Sequence, residues 1–177
     1  AHEALTNGAN WINDVTGGRR DEEIFDVVAE FNCPFVITHS RGNSKNMNNL
    51  TNYDELLVNI ADSLKILTNT ARKKNVSKDK IIWDPGIGFS KDTKQNIEVL
   101  RNLDFLKKFH FPILIGASRK RFIGEILHET NPKERDIGTL AISCLCSQLK
   151  IHMVRVHNVK INNEVLKVSD EIFRKKI

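Results

Sequence analysis

The sequence has no run approaching the roughly 18 consecutive apolar residues that a bilayer-crossing helix demands; its longest uncharged candidate, residues 139–149, has only helix-core length. A membrane span is excluded. Cysteine is scarce and odd in number, and the Cys144-x-Cys146 pair, with Cys33 far away, lacks the second pair a structural zinc site requires. Reduced, buried thiols are expected. There is no apolar leader or arginine-rich transit stretch either, which points to a reducing, cytoplasmic compartment. The initiating Met is missing, and Ala1-His2-Glu3-Ala4-Leu5 reads as the middle of an uncapped helix, so residues are expected to precede Ala1. Two phosphate-binding glycine signatures are absent as well. No G-x-G-x-x-G occurs, and Gly86-Ile87-Gly88-Phe89-Ser90-Lys91 has neither the glycine spacing nor the length of G-x-x-x-x-G-K-[ST].

What is present is an ordinary globular composition. Of 177 residues, 40% are apolar and 28% charged, enough to bury a sizeable core, and one domain covering residues 1–177 is the expectation. The net charge of +5 is spread along the chain, and the cluster Arg119-Lys120-Arg121 is short, so small anionic ligands suit it better than nucleic acid. Arg72-Lys73-Lys74 and Arg174-Lys175-Lys176 read as solvated helix faces.

Five short runs rich in β-branched and apolar residues, at 11–15, 35–38, 81–84, 112–116 and 153–157, read as buried strands. Between and after them, apolar residues at three- and four-residue spacing predict helices over 22–31, 53–70, 93–107, 120–127, 135–149 and 163–175. Successive strands start 24, 46, 31 and 41 residues apart, room for the helical crossovers that parallel strands need. Each run leads into a polar, glycine-bearing or basic segment. These are Asn13-Asp14-Val15-Thr16-Gly17-Gly18, Thr38-His39-Ser40-Arg41-Gly42-Asn43, Asp84-Pro85-Gly86-Ile87-Gly88-Phe89, Gly116-Ala117-Ser118-Arg119-Lys120 and Arg155-Val156-His157-Asn158. A (β/α)8 TIM barrel collects such strand ends at one mouth. The predicted fold is therefore α/β, a partial barrel of about five β/α units corresponding to strands 4 to 8, since a whole barrel takes about 250 residues.

A carboxylate at the end of a buried strand needs a hydrogen-bond partner, so Asp84 either meets a ligand edge or caps the Asp-Pro-Gly turn; the local motif alone slightly favours the turn. Asn13 offers an amide that donates and accepts, though Asn-Asp before Gly-Gly is equally a turn signal with Asp14 as its support. Ser118-Arg119-Lys120 opens a helix after an apolar strand and reads as an anion seat, with ligand contact expected for Ser118 and Lys120. Arg155 and His157, two residues apart, are expected on one strand face as a clamp for phosphate or diphosphate. His39 receives a supporting role, and His2, His110, His128 and His152 a structural or surface one without partners.

Taken in order, Ile12 to Gly18, His39-x-Arg41-Gly42, Asp84-Pro85-Gly86-Ile87-Gly88-Phe89-Ser90-Lys91, Gly116-Ala117-Ser118-Arg119-Lys120-Arg121-Phe122 and Arg155-Val156-His157-Asn158-Val159 resemble dihydropteroate synthase. That enzyme of folate biosynthesis joins 4-aminobenzoate to (7,8-dihydropterin-6-yl)methyl diphosphate. The resemblance spans nearly the whole chain. It implies a mouth that holds the pterin deep, with Asn13, Asp84 and Lys120 as hydrogen-bonding residues. Arg155 and His157 would receive the diphosphate, which magnesium usually accompanies. Phe89 and Ser118 match the aminobenzoate site, where the helix opening near Arg119 would hold the carboxylate. Asp84, Lys120, Arg155 and His157 are the implied catalytic residues, and no metal ligand is expected in this stretch. In the family the C–O bond breaks early and the amine attacks a pterin cation, so catalysis is positioning and charge stabilisation. A homodimer is one expected assembly; nucleic acid and membrane are not expected partners.

Two departures bear on these expectations. Thr38-His39-Ser40-Arg41-Gly42 stands where the family commonly has Met-His-Met-Arg-Gly, which alters one wall of the pterin pocket. The family's first three strands are absent, with their Asn-x-Thr-Pro-Asp-Ser-Phe and Ser-Thr-Arg-Pro loops and a further pterin-binding aspartate. The 177 residues alone are therefore expected to be inactive, unable to close a barrel or hold magnesium. Two other readings compete. Methyltetrahydrofolate-binding barrels of corrinoid-dependent methyl transfer would explain Asn13 and Asp84 without needing Ser118-Arg119-Lys120 or Arg155-x-His157. A non-catalytic pterin-binding module is the other.

Overall fold

The computed structural model describes residues 1–43 and 45–174. After a short helix α1 (His2–Thr6), strands and helices alternate: β1 (Ile12–Asp14), α2 (Glu23–Glu30), β2 (Phe35–Thr38), α3 (Leu56–Lys73) and β3 (Ile81–Asp84). Next come α4 (Thr93–Arg101), α5 (Leu103–Lys107), β4 (Leu114–Ile115), α6 (Arg121–Leu127), α7 (Asp136–Gln148), β5 (Met153–Val154) and α8 (Val159–Phe173). All strand pairs are parallel. The sheet β1-β2-β3 and the pair β4-β5 are joined by a bridge between Trp83 and Ile113, so spatial order follows chain order. This is an α/β arc of parallel strands. Among the described residues nothing pairs with the outer edge of β1 or β5, and the arc is not a closed barrel.

The pleat sorts residues between two layers, because successive side chains of a strand point to opposite faces. Phe35, Ile37, Ile81, Trp83, Ile113 and Ile115 belong to the large core packed with helix residues such as Phe25, Ile60 and Leu64. Val36, Ile82 and Leu114, with Met153 against them, form a small separate cluster on the inner face. Both faces of β2 and β3 are buried, which is why these runs are continuously apolar. Each fully buried aliphatic or aromatic side chain contributes about 1.5–3 kcal/mol. Trp83 anchors the outer layer, stacked on Phe111 with centroids 4.7 Å apart and donating its indole N–H to Thr68 Oγ1 at 2.9 Å.

Several predicted boundaries move. The run 11–15 shrinks to Ile12–Asp14 because Trp11 and Val15 are half-exposed. The last strand stops at Val154, so Arg155 and His157 do not share a strand face; Arg155 keeps only one ladder bond, its N–H to Ile115 O at 2.9 Å. The helix predicted over 93–107 breaks at Asn102, whose side chain donates to Glu98 O at 2.8 Å and whose backbone tightens to an i−3 bond with Val99. Tyr53 lies outside α3 because its hydroxyl bonds Ser90 O and its ring lies under the Arg41 guanidinium. α8 begins at Val159, capped by Asn158, four residues before the predicted start. Its predicted end at Lys175, and the charges on Lys175 and Lys176, lie outside the described residues. The three thiols are free, two buried and Cys144 half-buried. No helix is long and apolar enough to cross a membrane.

Candidate functional site

Two residues beyond the inner-face cluster, the same alternation delivers Thr38 after Val36, Asp84 after Ile82, Gly116 after Leu114 and Arg155 after Met153. Asn13, register partner of Val36, joins them on that face, and Thr38 is register partner of Asp84. The polar C-terminal ends therefore converge. Arg155 Nη2 donates to Asp84 Oδ2 at 3.1 Å and Nη1 to Asn13 Oδ1 at 2.5 Å, across 71 and 142 residues of sequence. Asp84 Oδ1 also accepts the Gly86 N–H at 2.8 Å, so the turn reading and the partner reading both hold. Burial drives the Asp84 carboxyl above the usual carboxylate range, against the pull of Arg155, the Gly86 N–H and Lys91.

The loop after β3 is stapled to β2 through His39, expected to play a supporting role, and Lys91, for which no role was expected. Lys91, 4% exposed, places its ammonium 3.0 Å from Gly86 O, 3.1 Å from Phe89 O and 2.9 Å from His39 Nδ1. Desolvation, reinforced by Lys91, Arg19 and Arg41, pulls the His39 ring down to about 2, leaving it neutral to accept from Lys91. Lys91 itself is drawn down to about 7 by burial, with Asp84 opposing. Gly86 is required here: at φ +71 a Cβ would fall 1.8 Å from His39 O. A second staple is Ser90, whose Oγ accepts the Arg41 N–H and donates to Arg41 O. The cue to Lys91 was its place at the end of the Asp84–Lys91 motif, just beyond a glycine loop. Among the described residues the buried Thr38 hydroxyl has no hydrogen-bond partner, at the position where the family pattern has Met.

The loop after β4 divides its three polar residues. Arg119 adopts a left-handed conformation, φ +59, and its guanidinium is committed to a bidentate pair with Asp136 at the start of α7, at 2.7 and 2.8 Å. Lys120 turns back, its stem over Gly88 and its ammonium 4.1 Å from the Phe89 ring centroid. Burial lowers the Lys120 pKa, with Asp84 opposing. Ser118 Oγ accepts the His157 N–H at 3.2 Å and lies 3.0 Å from its Nδ1. Gly116, Ser118, Lys120, Arg155, Val156 and His157 enclose one cavity of about 310 Å3. A second, of about 260 Å3, lies between Gly88, Lys91, Lys120 and Arg121. Lys120 borders both. Asn13, Asp84, Phe89, Ser118, Lys120, Arg155 and His157 are thus brought to one rim, with His157 bound to Ser118 and sharing a cavity with Arg155. Two histidines expected to lack partners have them: His152 Nδ1 accepts the Ile113 N–H, and His2 packs edge-on against Phe31.

Magnesium wants several oxygen donors in near-octahedral array. Among the described residues no group of three His, Cys, Asp or Glu side chains comes together. The rim carboxylates are engaged: Asp14 by Thr16 and the Gly18 N–H, Asp84 by Arg155 and Gly86. These side chains do not make a magnesium site.

With this geometry in place, the comparisons with known proteins converge. The pterin binding enzyme family matches residues 1–157. A dihydropteroate synthase from Synechocystis is 41% identical over 174 residues, 98% of this chain and 60% of the relative. The crystal structure of dihydropteroate synthase from Clostridium difficile in the presence of pteroic acid superposes with a TM-score of 0.90 at 39% identity, over 98% of this chain and 64% of that one. The Xanthomonas albilineans dihydropteroate synthase with 4-aminobenzoic acid gives 0.89 at 31% identity, over 98% of this chain and 61% of that one. The chain thus spans about 60% of the length of these three relatives.

Proposed function

The chain belongs to the pterin-binding enzyme family, and on that premise we propose that it is the pterin-binding part, residues 1–177, of a cytoplasmic dihydropteroate synthase. The reaction condenses (7,8-dihydropterin-6-yl)methyl diphosphate with 4-aminobenzoate, releasing diphosphate. The observation that carries the reading is Asp84: a carboxylate 1% exposed at the bottom of an open rim, partnered by a guanidinium that also reaches Asn13. Such a carboxylate matches the paired N–H donors of a pterin's pyrimidine edge, and Asn13 and Lys120 would complete its orientation.

Lys120, Arg155 and His157 supply cationic or donor groups around one cavity, where a diphosphate would gain charge as its bond to the pterin methylene breaks. The electron pair leaves with the diphosphate oxygen, the amine of 4-aminobenzoate attacks the methylene, and the amine then loses a proton. Phe89, beneath Lys120, offers an aromatic wall for the aminobenzoate ring. Its carboxylate would be met from the Ser118–Lys120 segment and Arg121, with Arg119 committed to Asp136. The corrinoid methyl-transfer reading has no use for Ser118, Lys120, Arg155 and His157 around a common cavity.

Incorporation of labelled 4-aminobenzoate into dihydropteroate by the full polypeptide carrying this chain tests the proposal. Product that depends on the pterin diphosphate is expected; methyl transfer to a corrinoid protein, or pterin binding without turnover, would replace the proposal with one of its rivals. The 177-residue chain alone is expected to show no turnover, because its strand arc is open. A homodimer belongs to the same proposal and is tested by sedimentation.

A further inference from the structure

Arg155 lies where the heterocycle is proposed to sit. A guanidinium is a planar carbon bearing three nitrogens and presents paired N–H donors. The 2-amino-pyrimidinone edge of a pterin is the same fragment closed into a ring, an exocyclic amine and a ring N–H on one carbon. Asp84 and Asn13 therefore meet in Arg155 an internal copy of the edge they would read on a ligand, Nη2 on the carboxylate and Nη1 on the amide. The strand beneath is shaped to let the guanidinium lie down. A Cβ on Gly116 would fall 2.4 Å from Nη2 and 3.0 Å from Cζ. Exposure is unevenly shared between the partners: the Asp84 side chain is 1% exposed and that of Arg155 40%, so the arginine has an open way toward the rim and the carboxylate has none.

We infer that Arg155 is a specificity-determining residue, holding Asp84 and Asn13 in the free site and yielding them only to a heterocycle that carries its own anion. The inference rests on the pterin reading above. A pterin without phosphates must displace the guanidinium from a buried carboxylate and leave it unpaired near Lys120, a second cation lining the same cavity. A pterin diphosphate makes the same displacement and gives the freed guanidinium a bidentate, charge-assisted partner in the cavity bordered by Ser118 and His157. Only the phosphorylated ligand completes the exchange. Selection against the bare pterin thus comes from the group that must move, in addition to the contacts made afterwards.

Calorimetric titration of the full polypeptide with 6-hydroxymethyl-7,8-dihydropterin and with its diphosphate separates the outcomes, using wild type, Arg155→Ala and Arg155→Lys. In Arg155→Ala the bare pterin should bind about fivefold tighter than to wild type and the diphosphate about tenfold or more weaker, collapsing the preference between them. Arg155→Lys keeps the cation without the fork that bridges Asp84 and Asn13. It should also bind the bare pterin more tightly while retaining most of its diphosphate affinity, and it decides the matter if the alanine variant does not fold. Equal weakening of both ligands in a folded variant would overturn the inference, making Arg155 an ordinary heterocycle contact, while leaving the synthase proposal intact. Failure of wild type to bind either ligand would overturn both.

Discussion

The two sides of the rim treat their polar groups in opposite ways. On the β2–β3 side, His39, Asp84 and Lys91 are each at most 4% exposed, with Lys91 bonded to His39 and Gly86 O and Asp84 to the Gly86 N–H. On the β4–β5 side, Arg155 and His157 are half-buried and exposed, and hold one bond or two that a ligand could replace. Burial makes polar groups stiff, because an unpaired partner in a low dielectric is costly, whereas an exposed cation changes partners cheaply. One side is suited to be a fixed template for a neutral heterocycle. The other is suited to follow a departing anion.

The contrast is sharpest at Asp84. Asp84→Asn keeps the shape and removes the charge that both Arg155 and the pterin would need. The affinity for pterin diphosphate, measured by calorimetry, is expected to fall about hundredfold, or 2.7 kcal/mol. A loss under threefold would mean that the template is not where the ligand binds.

Stability should also distinguish the two sides. Lys91→Met leaves His39 Nδ1 and two carbonyls unpaired in the interior, and a cost of about 3 kcal/mol in urea unfolding is expected. The pH dependence has a definite sign. His39, pulled down to about 2, and Lys91, pulled down to about 7, both bind fewer protons folded than unfolded. Stability therefore rises with pH, through His39 between about 2 and 6.5 and through Lys91 between about 7 and 10.5. His39→Gln should flatten the acidic limb and Lys91→Met the alkaline one. A rise that survives in both variants would assign the effect to other groups.

The smallest effect is expected at Thr38, whose buried hydroxyl has no partner among the described residues. Thr38→Val should raise stability by about 1 kcal/mol, seen as a higher melting temperature. A drop of that size would show that the hydroxyl has a partner and that the template side is more fully bonded.

The fixed side was the more legible in sequence as architecture and the less legible as chemistry. Continuous apolar runs such as Ile81-Ile82-Trp83 mark a strand buried on both faces, and a carboxylate at the end of such a run must have a partner. Asp84 and Asn13 could therefore be singled out without coordinates. Lys91 could not, because its partner His39 is 52 residues away and no spacing encodes that pairing. On the open side, Ser118, Lys120, Arg155 and His157 were recognisable as polar residues after apolar strands. The pairing of Arg119 with Asp136 was not legible, since it spans 17 residues and accompanies a positive φ that no spacing encodes. Likewise, the pleat places Arg155 and His157 on one face only if the strand continues past Val154, and it does not.

The most direct measurement is a crystal structure of the full polypeptide with pterin diphosphate bound. The account predicts the pyrimidine edge on Asp84 and Asn13, with the Arg155 guanidinium swung onto the diphosphate beside Ser118 and His157. A pterin bound elsewhere, or Arg155 still paired with Asp84 in the occupied site, would contradict it.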